Sequence, residues 1–309
     1  MANKPSYSVE QQINLLKTRG MNIHNECFAR HCLEHINYYR LKGYWWDMQR
    51  DKINHFFENG SCFEDVIDHY LFDKELRLIL FDAIETIEIA LRTKMIYHLS
   101  QSYGGLYYID KNLFADKSLH QKHLDTLMDE FMRSKEVFVK EYKNKYGIFE
   151  QKKCTSLNQQ PDAWIIFEVA TFGTLSKMYK NLNHQLPEKA KIANEFGLNL
   201  HNELSSWLEA ISYLRNIVAH HSRVWSKNMV KRPMQISNPK GIWLLNSLSE
   251  AAMKKPYFVI TAMLYLCNAI CAKTSFKNKI LALINNNKHI PIYKIGFLNN
   301  WQNEPIWKE

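Results

Sequence analysis

Tyr213-Leu-Arg-Asn-Ile-Val-Ala-His-His-Ser-Arg-Val-Trp225 ends a helix with two arginines, an asparagine and two adjacent histidines gathered between Arg215 and Arg223. The spacing predicts a helix beginning near Leu200, with Leu204, Leu208, Ile211, Leu214 and Val218 on one apolar face. Arg215, Asn216, His220 and Arg223 fall off that stripe. A merely solvated face would use Glu and Lys; Asn and His are mediocre helix formers, so their concentration at one end asks for a reason. Asn216 and His220 are four apart and lie on one side. Arg215 and His220 are five apart, separated by about 140° around the axis and about 7.5 Å along it. A cleft between two helices, or between two copies of this one, suits that spacing better than a site within one helix. Chemically, the set joins a group that exchanges protons near neutral pH to fixed positive donors. Phosphodiester cleavage requires that combination: proton transfer to and from oxygens, and stabilisation of a charged transition state.

Arg215-Asn-Ile-Val-Ala-His220 resembles the Arg-x4-6-His motif of HEPN-domain ribonucleases, and the longer string through His221, Arg223 and Trp225 resembles the abortive-infection (AbiD/AbiF-like) branch of that superfamily. Further stretches similar to that family follow in order: Tyr38-Tyr-Arg-Leu-Lys-Gly-Tyr-Trp45, Phe72-Asp-Lys-Glu-Leu-Arg77, Ile87-Glu-Ile-Ala-Leu-Arg92, Thr171-Phe-Gly-Thr-Leu-Ser176 and Gly296-Phe-Leu-Asn-Asn-Trp301. Ser226 departs from the pattern, where relatives often carry Asn, and bears on how the loop is capped. The resemblance implies an all-α, HEPN-type helical bundle with an N-terminal helical extension (1–60), a central domain (61–286) and a C-terminal tail (287–309) packing back on the core. It implies a cytoplasmic homodimer in phage defence, cleaving RNA without a metal or other cofactor and held in check by a protein or small-RNA antitoxin. Arg215, Asn216 and His220 would be catalytic. Auxiliary or RNA-binding roles would fall to His221, Arg223, Glu88, Arg92, Lys227, Lys231 and Arg232. The other reading is a basic helical module that captures a specific small RNA with little or no nuclease activity.

Composition agrees with helices and a polyanionic partner. The 309 residues carry 46% hydrophobic and 23% charged side chains, few Gly and Pro, and a net charge of +9. The first residues lack an apolar signal core, and six cysteines without Cys-x-x-Cys pairs point to reduced thiols in a cytosol. The longest charge-free run, Pro256 to Ala272, is too short to span a bilayer and reads as a buried helix. No phosphate-binding Gly-rich loop, Gly-x-Ser-x-Gly or His-Glu-x-x-His is present.

Along the chain, Ser8 and Gln11 predict a capping box opening a helix that Gly20 stops. A second helix is expected from about Ile23 to Tyr39 with Phe28, Cys32, Ile36 and Tyr39 inward. His24, Cys27, His31 and His35 share a stripe on it, read as packed and surface residues because one straight helix rarely supplies a full metal shell. Tyr38 to Trp46 is either a stacking platform for bases or an apolar junction. Residues 63–99 form one long helix or two, in which Glu88 and Arg92 pair, either as a helix-surface salt bridge or with Glu88 or Glu85 orienting Arg215 or His220 across a helix pair. Lys135 to Lys153 alternates lysine with aromatics, as a backbone-tracking face or a solubilising one. Pro161 opens a helix running to Tyr179 with Trp164, Phe167, Val169 and Leu175 inward, and Glu168 is its lone acid. The basic stretch from Lys227 to Gly241 is irregular.

Overall fold

The computed structural model describes residues 6–308. It is an all-α bundle with two small antiparallel strand pairs. The N-terminal part contains α1 (Val9–Thr18), α2 (Glu26–His35), α3 (Tyr38–Trp45) and a hairpin of β1 (Gln49–Asp51) with β2 (Phe56–Phe57). Then comes α4 (Phe63–Tyr103), followed by α5 (Lys117–Arg133), α6 (Val137–Tyr146), a hairpin of β3 (Gly147–Glu150) and β4 (Lys153–Leu157), α7 (Ala163–Ile166) and α8 (Phe172–Asn181). The remainder holds α9 (Pro187–Glu195), α10 (His201–Ala219), α11 (Glu250–Met253), α12 (Pro256–Ile270) and α13 (Phe276–Asn286).

The bundle is built on α4, whose 41 residues extend about 60 Å at 1.5 Å per residue. Its sequence is apolar at a density no single stripe could absorb, and α3, α8, α9, α10, α12 and α13 cover it from several sides. Leu80, Ile87, Leu91 and Leu99 have no exposed surface. Against it lies α12, buried continuously from Pro256 to Cys267. No described helix is long and apolar enough to cross a membrane. The C-terminal tail returns to this layer: Phe297, Trp301 and Trp307 cluster on Tyr257, and the Trp307 indole donates to the Thr261 hydroxyl at 3.2 Å.

Local chemistry ends helices that periodicity alone would continue. The expected 23–39 helix is two. Ile36 is extended, and the Asn37 side chain accepts from the Tyr39 N–H at 2.8 Å, opening α3 as a new N-cap. The buried face of α2 is Ala29, Cys32 and Leu33, which leaves Phe28 at its exposed edge, and the axis change turns Tyr39 outward to 71% exposure while Leu41, Tyr44 and Trp45 are buried. The stretch is thus mainly a junction. The expected 161–179 helix also breaks, at extended Ala170, because Thr171 caps α8 and its own N–H and hydroxyl are held by Glu130 of α5. Trp164 faces outward as a result. Residues 147–157 form a hairpin that the lysine–aromatic alternation does not signal. Its Gln151–Lys152 turn has both residues at positive φ, matching a right-twisted strand pair.

Candidate functional site

Helix α10 starts where the spacing places it, with the Glu203 carboxylate accepting from the Leu200 N–H at 3.0 Å. Its far end is a Schellman turn. The His221 N–H bonds the Val218 carbonyl at 2.9 Å, and the Ser222 N–H bonds the Ile217 carbonyl at 2.8 Å. His220 is the capping residue, and His221 occupies the left-handed position usually given to glycine, at φ 54°. Both imidazoles are exposed or nearly so, as is Asn216; Arg215 is half-buried.

Buried bonds hold the segment just beyond. Asp73 of α4, with no exposed surface, accepts from the N–H groups of Val224 (3.1 Å) and Trp225 (2.7 Å) and from the Tyr44 hydroxyl (2.7 Å), and pairs with Arg77. The guanidinium of Arg40 donates to the His221 carbonyl, and that of Arg223 to the Gly43 carbonyl. A Cβ at Gly43 would meet Arg223 at 3.3 Å, so the glycine lets the guanidinium lie against the α3 backbone. Trp225 is sealed between His69, stacked on it at 4.6 Å, and Phe72. Ser226 also has positive φ, and its hydroxyl donates to Asp47 at 2.6 Å. Burial alone would raise the Asp47 carboxyl, but the Ser226 hydroxyl, Lys294 and Arg223 outweigh it and hold it below the usual range.

On the other side of α10 stand Glu88 and Arg92, paired at 3.0 Å. The same guanidinium nitrogen of Arg92 also reaches the Ala170 carbonyl at 3.1 Å, the group freed where the chain breaks before α8. Burial pushes the Glu88 carboxyl above the usual range, with the charges of Arg92 and Arg215 pulling the other way. Glu88, one of the two acids expected to reach the motif, thus makes its ion pair with Arg92 and feels Arg215 only as a nearby positive charge, while Glu85 and Glu168 are exposed.

The auxiliary cations are dispersed. Arg223 is engaged with Gly43, Lys231 pairs with Glu209 at 2.6 Å, Arg232 pairs with Glu250 at 2.5 Å, and Lys227 is half-buried in the irregular loop. Closer to the histidines, sequence reasoning missed Arg40, Lys74 and Arg77, which with His221 rim a cavity of about 470 Å³. Tyr70, Leu78 and Phe81 form its apolar wall. Their signal lies in the stretches around residues 38–45 and 72–77, whose meeting point with the motif only the fold supplies.

The fold and site define an all-α protein that presents two solvent-facing histidines on a helix end braced by buried charge, with the Glu88–Arg92 pair of α4 behind. The chain belongs to the family of Abi-like proteins, that is, abortive-infection proteins, whose model matches residues 31–226. The match runs from α2 to just past Trp225 and so encloses α3, α4 and the whole braced helix end. Comparisons with curated proteins and with solved structures gave no match.

Proposed function

We propose that this protein is an endoribonuclease of a bacterial abortive-infection system, cleaving RNA at the end of α10 in a cleft between two copies of the chain. The observation that carries the reading is the solvent-facing placement of His220 and His221 on backbone fixed by buried Asp73, Tyr44 and Arg77. Burying a carboxylate costs free energy unless every partner is in place, so positioning these two residues is worth an elaborate brace. Membership in an abortive-infection family and the net positive charge support the same reading.

The chemistry follows from the groups. A neutral imidazole accepts the proton of a ribose 2′-hydroxyl as its oxygen bonds to the adjacent phosphorus. The phosphorus–O5′ bond breaks, and an imidazolium returns a proton to the departing 5′-oxygen. The products are a 2′,3′-cyclic phosphate and a 5′-hydroxyl. His220 takes one of these roles and its counterpart in the second copy, or His221, takes the other. Arg215 stabilises charge on the non-bridging oxygens, oriented by Glu88, and Asn216 positions the imidazole or the phosphate.

The test uses purified full-length protein and labelled RNA in EDTA. Cleavage leaving cyclic-phosphate ends should persist in the chelator. It should fall by a factor on the order of 10² to 10⁴ in His220→Ala and comparably in Arg215→Ala. Tight, salt-sensitive RNA binding that neither variant affects, with no cleavage, would instead identify an RNA-capturing module.

A further inference from the structure

We infer that His24, Cys62 and Glu64 form a zinc-binding site, separate from the α10 histidines, that fastens the N-terminal helices to the start of α4. Scanning a single helix for ligands directs attention to His24, Cys27, His31 and His35, but His24 precedes α2 and its partners arrive 38 and 40 residues later. Asn22 and Cys62 form a parallel bridge, with the Phe63 N–H on the Asn22 carbonyl at 2.9 Å, so the backbone brings the two segments into register. Around it, His24 Nδ1 lies 3.3 Å from Cys62 Sγ and 3.6 Å from Glu64 Oε2, while Sγ and Oε2 are 2.7 Å apart.

These separations match a shared metal with little movement. Zinc bonds of about 2.3 Å to sulfur and about 2.0–2.1 Å to nitrogen or oxygen, at tetrahedral angles, place such atoms roughly 3.3–3.6 Å apart. Two of the three edges already have that length. The short edge is the thiol's hydrogen bond to the carboxylate. Its proton leaves to solvent when the metal takes its place, and sulfur and oxygen then separate by somewhat under 1 Å. Glu64 is already oriented as a ligand, because its other oxygen accepts from the N–H groups of His24 (3.1 Å) and Asn25 (3.0 Å), which aims Oε2 at the pair. Cys62 is buried at the base and the His24 ring is exposed at the mouth, giving the ion a way in and leaving a fourth position for water. Sulfur, nitrogen and a single carboxylate select a borderline ion such as zinc over magnesium or calcium, which take oxygen ligands. A second group, His31, Glu34 and His35, lies wholly exposed along α2, where no buried thiol anchors it.

The experiment is a titration of the chelator-stripped, reduced full-length chain with Co²⁺, read by absorption and followed by displacement with Zn²⁺. One equivalent should produce thiolate-to-cobalt charge transfer and visible tetrahedral bands, and Zn²⁺ should erase them and raise the melting temperature. Cys62→Ser should abolish the charge-transfer band. Glu64→Gln, which keeps an acceptor for the two backbone N–H groups, and the exposed His24→Ala should each weaken binding by on the order of tenfold or more. Cys27→Ser and His35→Ala, made as controls, should change nothing. Bands that survive Cys62→Ser, or an affinity no better than that of Mg²⁺, would overturn the assignment whatever the outcome for RNA cleavage.

Discussion

His221 is a non-glycine residue at φ 54°, and its carbonyl, not its ring, makes the bond to Arg40 that holds the turn. A side chain there opposes the left-handed backbone that the Schellman turn needs, although histidine tolerates it better than most. His221→Gly should therefore leave stability unchanged or raise it by up to about 1 kcal/mol, measured by thermal melting. A clear loss would mean that the imidazole makes contacts worth more than the strain. Ser226 poses the same problem one turn later. Asparagine would ease this positive φ, and serine compensates by its bond to Asp47. Lys189 is a different case: only 4% exposed, it donates to the Lys180 and Leu182 carbonyls, and burial pushes it down to about 8. Between that value and the ordinary 10.5 the unfolded chain binds the extra proton, so this residue's contribution to stability rises with pH across the window and is lost below it. Denaturant unfolding from pH 8 to 10 should show a steeper gain for the native chain than for Lys189→Met.

Among elements, the decisive contact is between α4 and the segment after α10, and Asp73 is its centre. Asp73→Ala strands Arg77 in the interior and leaves two backbone N–H groups without an acceptor. The expected loss is about 3–5 kcal/mol in guanidinium unfolding. Should Asp73→Ala cost under about 1 kcal/mol, less than one stranded buried group is expected to cost, the loop would be held by packing around Trp225 instead. The motif residues are legible as types because arginine, asparagine and two histidines are an expensive way to end a helix. Their brace is not legible, because Arg40, Tyr44 and Asp73 are ordinary residues until tertiary contact sets them on the segment that follows the helix. The two helices that break have the same origin: Asn37 and Thr171 are good caps, but hydrophobic spacing across them still fits one continuous helix.

Across the whole molecule, α4 leaves Leu71, Leu78 and Ile89 exposed although they lie within about 20° of one another around the helix. Leu78, at 65% exposure, and neighbouring Phe81 also wall the cavity beside His221. An apolar strip adjoining the solvent-facing histidines is where a second copy would complete a shared cleft. Leu78→Asp should accordingly sediment as a monomer, lose RNA cleavage by at least about tenfold, and keep the helical circular dichroism of the native chain. A native chain that sediments as a monomer at micromolar concentration would count against the two-copy cleft.

Helical period, caps at Ser8 and around Gly20, the buried α12 and the His-Arg cluster at the end of α10 were all decided by the sequence, because each depends on residues within a few turns of one another. Tertiary structure alone decided that Asp73, Tyr44 and Arg40 would grip the turn carrying His220 and His221, and that His24 would find Cys62 and Glu64. Those pairings join residues dozens to more than a hundred positions apart. A buried charge or a ligand set exists only once the chain has carried its members into the same few ångströms.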